Sequence, residues 1–352
     1  MTTGLRAILL GAAALTVCGG AQAQEDGYYK GKVVTLAVGG TAGGGIDLGA
    51  RMVSRYLGAH VPGKPQVNVA LMPGAGGVRL LEHLRQVAPK DGTYIGAFAT
   101  GPLIEPLITT RNVSYKTSDF TAIGALENDI SFCTTWRDSP IKTIKDAMER
   151  ETTVAGTGAA SSTDIFPLVL NATLGTKFRL ITGYVGTQET IMAIERGETD
   201  GRCGWGWSSL KSSKPDWLRD NKLNFLVQLS LKKSPDMPDV PLALDLIKDE
   251  AGKQMMRVVV APQALTRPYL APPEMAADRT REMRKAFMDT MGDPGYVAEF
   301  RKVMGDDPSP TSGEDMQKLL KEIYDTPAPV IARLKEVLQK GNAAADKAPA
   351  KK

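Results

Sequence analysis

An apolar stretch, Lys32 to Val38, reads as a strand and runs into Gly39-Gly40-Thr41-Ala42-Gly43-Gly44-Gly45-Ile46-Asp47, where a helical pattern begins. A Gly-rich loop between a strand and a helix turns its backbone N–H groups toward a concavity at the helix N-terminus. The helix dipole also favours negative charge there. That is chemistry for holding an anion. Gly43, Gly44 and Gly45 either let the backbone approach a ligand or only make a tight turn. With Asp47 as the helix cap, a turn alone would need one or two glycines. A P-loop would need Gly-Lys-Ser/Thr, which is absent, and a dinucleotide fingerprint would need Gly-x-Gly-x-x-Gly with an acid about 20 residues on.

Two more loops resemble the first. Met72-Pro73-Gly74-Ala75-Gly76-Gly77 follows the strand Gln66 to Leu71, and Ala75 and Gly76 either line a cleft or pack a helix against a strand. Gly156-Thr157-Gly158-Ala159-Ala160-Ser161-Ser162-Thr163-Asp164 mirrors the first loop in the second half of the chain. Gly158, Ala159, Ser161 and Thr163 are its candidate contacts, although Ser161 and Ser162 also read as plain N-caps. Asp164 and Asp200 would repel a carboxylate unless they face an amine or hydroxyl of the ligand. Their bland readings are a first-turn charge and a turn residue before Gly201. Tyr184, Trp205 and Trp207 could stack on a flat ligand or pack in the core. Of the arginines Arg51, Arg79 and Arg202, Arg202 is the better partner for a second carboxylate, because the other two lie on helices beyond their loops.

The elements that must position these residues alternate strand, loop and helix. The helix of Asp47 to Leu57 carries Leu48, Met52, Val53 and Tyr56 on one face, with Gly58 as its stop. Tyr94 to Phe98, Ile130 to Trp136, Thr152 to Ala155, Arg179 to Thr182 and Asn224 to Leu229 read as strands, as does Arg257 to Ala261. Residues 273 to 338 read as helices. This pattern predicts parallel sheets with helices on both sides, in two α/β units that each carry an anion-type loop. The expected division is a signal peptide at 1–23, a first lobe from 24–125, a second lobe from 126–256, a return to the first lobe over 257–340, and a disordered tail at 341–352.

The front of the chain reads as an export signal: Arg6, a short apolar run from Ala7 to Val17, and a cleavage site at Ala21-Gln22-Ala23. Cys18 raises a lipoprotein reading, which Val17 before it opposes. The predicted location is the periplasm. Lysine plus arginine number 43 against 39 aspartates and glutamates, with no basic block before the last residues, so nucleic acid is excluded as a partner. Cys133 and Cys203 sit in strand-like segments far apart in sequence. An oxidising compartment permits a disulfide between them, and two buried thiols are the other reading. No His/Cys/Asp spacing fits a metal, and no cofactor is implied.

Taken together, Tyr29-Lys30-Gly31-Lys32, Ala42 to Asp47, Met72 to Gly77, Ala88-Pro89-Lys90-Asp91-Gly92-Thr93, Gly156-Thr157-Gly158, Glu195 to Gly201 and Leu270-Ala271-Pro272-Pro273 resemble the solute receptors of tripartite tricarboxylate transporters, the Bug receptors. The likeness covers essentially the whole mature chain. Each motif is weak alone; their order and spacing together are specific. Departures are the tail beyond Gly341, Glu274-Met275 after Pro273, and the tryptophan-rich Cys203-Gly204-Trp205-Gly206-Trp207. The resemblance implies an α/β type II periplasmic binding protein fold, in which two lobes joined by two crossing strands close on a ligand. It implies a carboxylate held by backbone N–H groups from both lobes with ordered water. It also implies docking on a permease of one large and one small subunit.

Three functions follow in order. The first is a non-enzymatic, monomeric receptor for a small carboxylate. The second is a sensor of the same fold docking on a signalling receptor. The third is a periplasmic hydrolase, which would need a base beside Ser161 or Ser208. His60 and His83 both fall in first-lobe helices, and no Gly-x-Ser-x-Gly elbow exists.

Overall fold

A computed structural model describes residues 27–74, 77–109, 113–159 and 161–345. The expected signal peptide, Ala75, Gly76 and the last seven residues lie outside that set. The first lobe begins with β1 (Val33–Val38), α1 (Gly45–His60), β2 (Gln66–Leu71), α2 (Val78–Gln86), β3 (Tyr94–Ala97), α3 (Glu105–Ile108) and β4 (Thr121–Glu127). The second lobe follows with β5 (Ser131–Trp136), α4 (Ile144–Glu149), β6 (Thr152–Ala155), α5 (Ser162–Leu174), β7 (Phe178–Ile181), α6 (Thr187–Glu195), β8 (Gly201–Gly206), α7 (Trp207–Ser213), α8 (Pro215–Arg219), β9 (Leu223–Leu229), α9 (Ala243–Leu246) and α10 (Glu250–Val260). The chain then returns as β10 (Thr266–Ala271), α11 (Ala277–Met291), α12 (Pro294–Met304), β11 (Thr311–Ser312), α13 (Gly313–Tyr324) and α14 (Ala328–Ala345).

These strands form two mixed sheets, ordered β11-β4-β10-β3-β1-β2 and β7-β6-β8-β5-β9. β1 runs parallel to β2 and β3, and β6 runs parallel to β7 and β8. Val34, Leu36, Ala37 and Val38 are fully buried, as a strand covered by helices on both faces requires. The chain leaves the first sheet at Glu127, enters the second at Ser131, and comes back through a 3-10 turn at Ala261–Leu265 into β10. The fold class expected from the sequence is the one observed.

Four sequence expectations are corrected. Arg257 to Ala261 is not a strand. Asp249 accepts from the Gly252 N–H at 2.9 Å and starts α10, whose Met255, Met256 and Val258 to Val260 face the core. The β-branched run that read as strand is a buried helix face, and the true returning strand is β10, masked by its Pro268. Gly58 does not stop α1, which runs on to His60. The C-terminal helices do not all return to the first lobe. α14 bridges the lobes, packing on α3 of the first and on α5 and α10 of the second, where Leu168 of α5 sits against Gly341 and Arg333 pairs with Asp249. It stays helical to Ala345, past the residue where the disordered tail was expected to begin. One apolar core therefore runs from Leu80 and Phe98 in the first lobe, through Leu320 and Leu334, to Val154 and Phe166 in the second.

Candidate functional site

The two Gly-rich loops occupy matching places. β8 ends at Gly206, where the Trp207 N–H donates to Ile130 O in the outgoing crossing. β6 is parallel to β8, so the loop after β6 lies at the same end of the sheet, facing the first lobe. The backbone of Ser162 and Thr163 packs on Gly204, which has φ +69° and no room for a Cβ. In the first lobe the Gly45 carbonyl accepts from Arg267, where the returning chain enters β10, and Gly49 packs on Leu126 of β4. The N-termini of α1 and α5 thus both stand at the inter-lobe ends of their sheets, beside the crossings.

Neither helix start is capped by a side chain. Gly44 has none to offer. Ser161 lies 2.7 Å from the Gly158 carbonyl and turns its hydroxyl into the loop. The first N–H groups of each helix lack the usual acceptor four residues back, although the Asp164 N–H donates to Ser161 O at 3.1 Å. Gly43 has φ +74° and Gly158 φ +136°, with nothing near either missing Cβ, so conformation and not space requires glycine there.

The acids of the loops take roles the sequence did not disclose. Asp47 is not the cap; it is the third helical residue and reaches back to accept the Gly43 N–H at 2.8 Å. Burial acts to raise its pKa, but the Gly43 N–H and the Arg51 guanidinium, 2.9 Å away, outweigh it and hold the carboxyl below its ordinary range. Arg51 is thereby committed to Asp47. Asp164, also the third residue of its helix, is fully buried and accepts from the Gly158 N–H at 3.1 Å, from Thr163 Oγ1 at 3.0 Å and from Thr182 Oγ1. Thr163 in turn accepts the Thr157 N–H at 2.9 Å. Each loop is pinned by its own N3 carboxylate, and the amides of Gly43 and Gly158 are occupied by protein.

The remaining candidates separate. Ala159 is exposed on the loop. Tyr184 joins the second loop through its backbone, donating to Gly156 O at 3.2 Å, while its hydroxyl faces Glu198. Burial, then Glu198, raises its pKa. Asp200 is not brought to the site. Its carboxylate accepts from the N–H and hydroxyl of Thr153, near the start of β6 and so at the far end of that strand from the loop. Arg202 points into the second lobe. It is 3 % exposed, donates to Thr190 Oγ1 at 2.6 Å, and lies 4.9 Å over the Trp205 ring. Among the described residues no carboxylate pairs with it, and burial pushes its pKa down to about 10. Trp205 is core, packed on Phe132 and Trp217, and Trp207 donates its indole N–H to Asp236. Cys133 and Cys203 are disulfide-bonded between β5 and β8.

Among the described residues neither histidine stands beside Ser161 or Ser208. Ser208 donates to Asp129, His60 faces Asp293, and His83 packs on Tyr94. The described residues contain no cluster of three metal-binding side chains and no helix long and apolar enough to cross a membrane. A cavity of about 260 Å³ beside the crossing is lined by Glu127, Asp129, Asp236, Asp306 and Asp307, a poor setting for an anion. Lys211 of α7 pairs with Asp306 across it, linking the lobes.

No protein-family model and no curated protein matches the chain. Solved structures do. A TctC solute-binding protein from Polaromonas is 17% identical with a TM-score of 0.67, covering 88% of this chain and 98% of its own. The periplasmic binding protein BugD is 20% identical with a TM-score of 0.55, over 88% of this chain and 97% of its own. MatC from Rhodopseudomonas palustris, solved with bound malate, is 17% identical with a TM-score of 0.56, over 87% of this chain and 98% of its own. Two α/β lobes joined by two crossings, matched along nearly the full length of such proteins, give this chain the type II periplasmic binding protein fold.

Proposed function

We propose that the protein is a periplasmic solute receptor that captures a small carboxylate between its lobes and delivers it to a membrane permease of one large and one small subunit. The observation that carries this reading is the pair of uncapped helix starts, Gly45 of α1 and Ser162 of α5, at the inter-lobe ends of the two sheets. Each presents the positive end of a helix dipole and backbone donors without helical partners. At α1 the nearby acids are compensated, whereas Asp164 at the start of α5 has no cationic partner among the described residues. Asp47 is neutralised by Arg51, Glu127 by Arg267, and the unpaired Arg202 adds positive potential inside the second lobe. Closure would exclude water and strengthen each hydrogen bond to the ligand. The malate bound by MatC is of the expected chemical class. The reading is of a monomeric, non-enzymatic receptor, and the solute-binding proteins among the solved structures it resembles support the non-enzymatic part. Delivery to a permease rests on the motif resemblance.

The test is a thermal-shift screen of the mature protein against malate, succinate, adipate, citrate, amino acids and aromatic acids, confirmed by calorimetry. A binder of the folded state raises the melting temperature in step with ln(1 + [L]/Kd). A shift with one acid class, and no turnover of it, is the expected result. No shift across the panel would overturn the carboxylate reading.

A further inference from the structure

Arg267 stands where three parts of the hinge meet. It is the second residue of β10, directly after the returning crossing. Its φ is +55°, a left-handed conformation in which a non-glycine residue is strained. Its side chain is mostly buried. The guanidinium donates from Nε to the Gly45 carbonyl at 3.2 Å and pairs with Glu127, the last residue of β4 before the outgoing crossing. Glu127 is itself buried. One planar fork thus joins the returning crossing, the outgoing crossing and the first turn of α1, a geometry that a lysine point charge cannot reproduce.

Gly45 and Gly49 of α1 lie beside this side chain. A Cβ at Gly45 would come within 3.4 Å of Arg267 Nη2 and 3.8 Å of its Nε. A Cβ at Gly49, one turn on, would lie 3.4 Å from Arg267 Cδ and 2.9 Å from Leu126. The Arg267 stem thus lies along the bare faces of Gly45 and Gly49 at ordinary van der Waals range, and at Gly49 it is Leu126 that leaves no room for a Cβ.

We infer that Arg267 is a positioning residue: it fixes the first turn of α1 against both crossing strands, so that the ligand-facing amides of α1 move with the hinge. Hinge residues absorb the backbone change when lobes close. A rigid fork anchored on both crossings carries that change to the Gly45 carbonyl, and with it to the amides one turn from the cleft. The guanidinium also adds a positive charge beside the positive helix end. Truncating it alone would leave Glu127 buried and unpaired, a fold defect unrelated to positioning.

The inference rests on the receptor reading for its affinity arm, and a second arm is independent of it. Two variants are compared with wild type: Arg267→Lys, which keeps the charge beside Glu127, and the double variant Glu127→Gln/Arg267→Gln, which removes both charges together. In the first arm, calorimetry is run with whichever of malate, succinate or adipate binds wild type. Arg267→Lys is expected to keep the wild-type melting temperature within about 3 °C while its Kd rises at least tenfold. The double variant is expected to lose as much affinity. In the second arm, hydrogen exchange is followed without ligand in the peptide covering Gly43 to Leu48. Exchange there is expected to quicken at least fivefold in both variants, while the peptide covering the start of α5 is unchanged. Wild-type Kd in both folded variants would overturn the inference, as would wild-type exchange at the start of α1. If none of the three acids binds wild type, the panel acid that does takes their place in the affinity arm; if no acid of the panel binds, the carboxylate reading fails and the exchange arm alone decides the role of Arg267.

Discussion

Asp164→Asn and Asp164→Ala separate a ligand contact from a loop organiser. The carboxylate is fully buried and accepts from Gly158 N–H, Thr163 Oγ1 and Thr182 Oγ1, with Ser161 Oγ a further 3.1 Å neighbour. The hydroxyls can rotate to other acceptors; Ser161 already lies 2.7 Å from Gly158 O. The Gly158 amide cannot turn away without moving the loop. One buried donor left without an acceptor costs about 1–3 kcal/mol, and hydrogen bonds to an ionised group lie at the upper end of the range. Alanine at 164 should therefore destabilise by about 2–4 kcal/mol. Asparagine should cost about 1–3 kcal/mol, because its carbonyl can still accept from Gly158 N–H and Thr163 Oγ1 but without the charge, while its NH2 meets Thr182 Oγ1, which must turn its proton away to accept.

The binding expectation runs the other way. If Asp164 only holds the loop, removing its negative charge from the start of α5 leaves the affinity of an acid unchanged within about threefold or improves it. The assay is urea unfolding of both variants beside calorimetry with the acid that wild type binds. A variant with wild-type stability that has lost binding would refute the assignment and make Asp164 a ligand contact. Wild-type stability with wild-type binding would refute the hydrogen-bond argument itself.

Three further outcomes are expected. Gly44→Val should fold normally, since Gly44 is extended at φ −73° and ψ 162° with only Thr41 O, at 3.3 Å, near a Cβ; acid affinity should fall at least tenfold by calorimetry, and unchanged affinity would remove the first loop from the site. Thiol titration of denatured, unreduced mature protein should find no free thiol. The double variant Cys133→Ser/Cys203→Ser should be less stable by about 4 kcal/mol in urea, from the entropy of closing a 70-residue loop. Asp47 has its pKa lowered from 3.8 on folding, so its contribution is fully present above that value and is lost as pH falls through the lower folded value. Melting curves should therefore show the gap between wild type and Asp47→Asn closing below pH 4, and a constant gap would contradict the lowered pKa.

The two strand–loop–helix units were legible because their signals are local. Val33 to Val38 and Thr152 to Ala155 are short apolar runs, and each meets glycines and then a helical period. Failures arose where long-range packing decided. Val258-Val259-Val260 is strand-like in composition, yet it completes a helix begun by the Asp249 cap. β10 was hidden because Arg267 and Pro268 look wrong for a central strand. Arg267 is at the crossing end, and Pro268 is paired with Ala125. Asp200 was weighed as a partner for a ligand amine or hydroxyl, but it is bonded to Thr153, and Val154 and Ala155 still separate that residue from the loop. No local pattern could show that Asp47 and Asp164 fold back on their own loops. The shared signal was the acid at the third helical position after each glycine cluster, visible only when the two loops are aligned.

That shared position constrains what the cleft can hold. A loop with several free amides and no internal acid would bind any anion, including buffer ions. Here each lobe gives one loop amide, Gly43 or Gly158, to its own carboxylate and leaves the helix start open. The internal acid fixes the loop before any ligand arrives, so less ordering is required at binding. It also places a negative charge near the first turn, which penalises a highly charged anion more than a singly charged carboxyl group. Asp47 is compensated by Arg51, whereas Asp164 has no cationic partner among the described residues, so the penalty falls on the second lobe. One carboxylate of the ligand is therefore expected on α1, with the α5 side meeting a less charged part of the molecule. Monocarboxylates and malate should compete better against the more highly charged citrate here than they would in a cleft whose loops lack these acids. A clear preference for citrate over malate would contradict this electrostatic ordering of the two lobes.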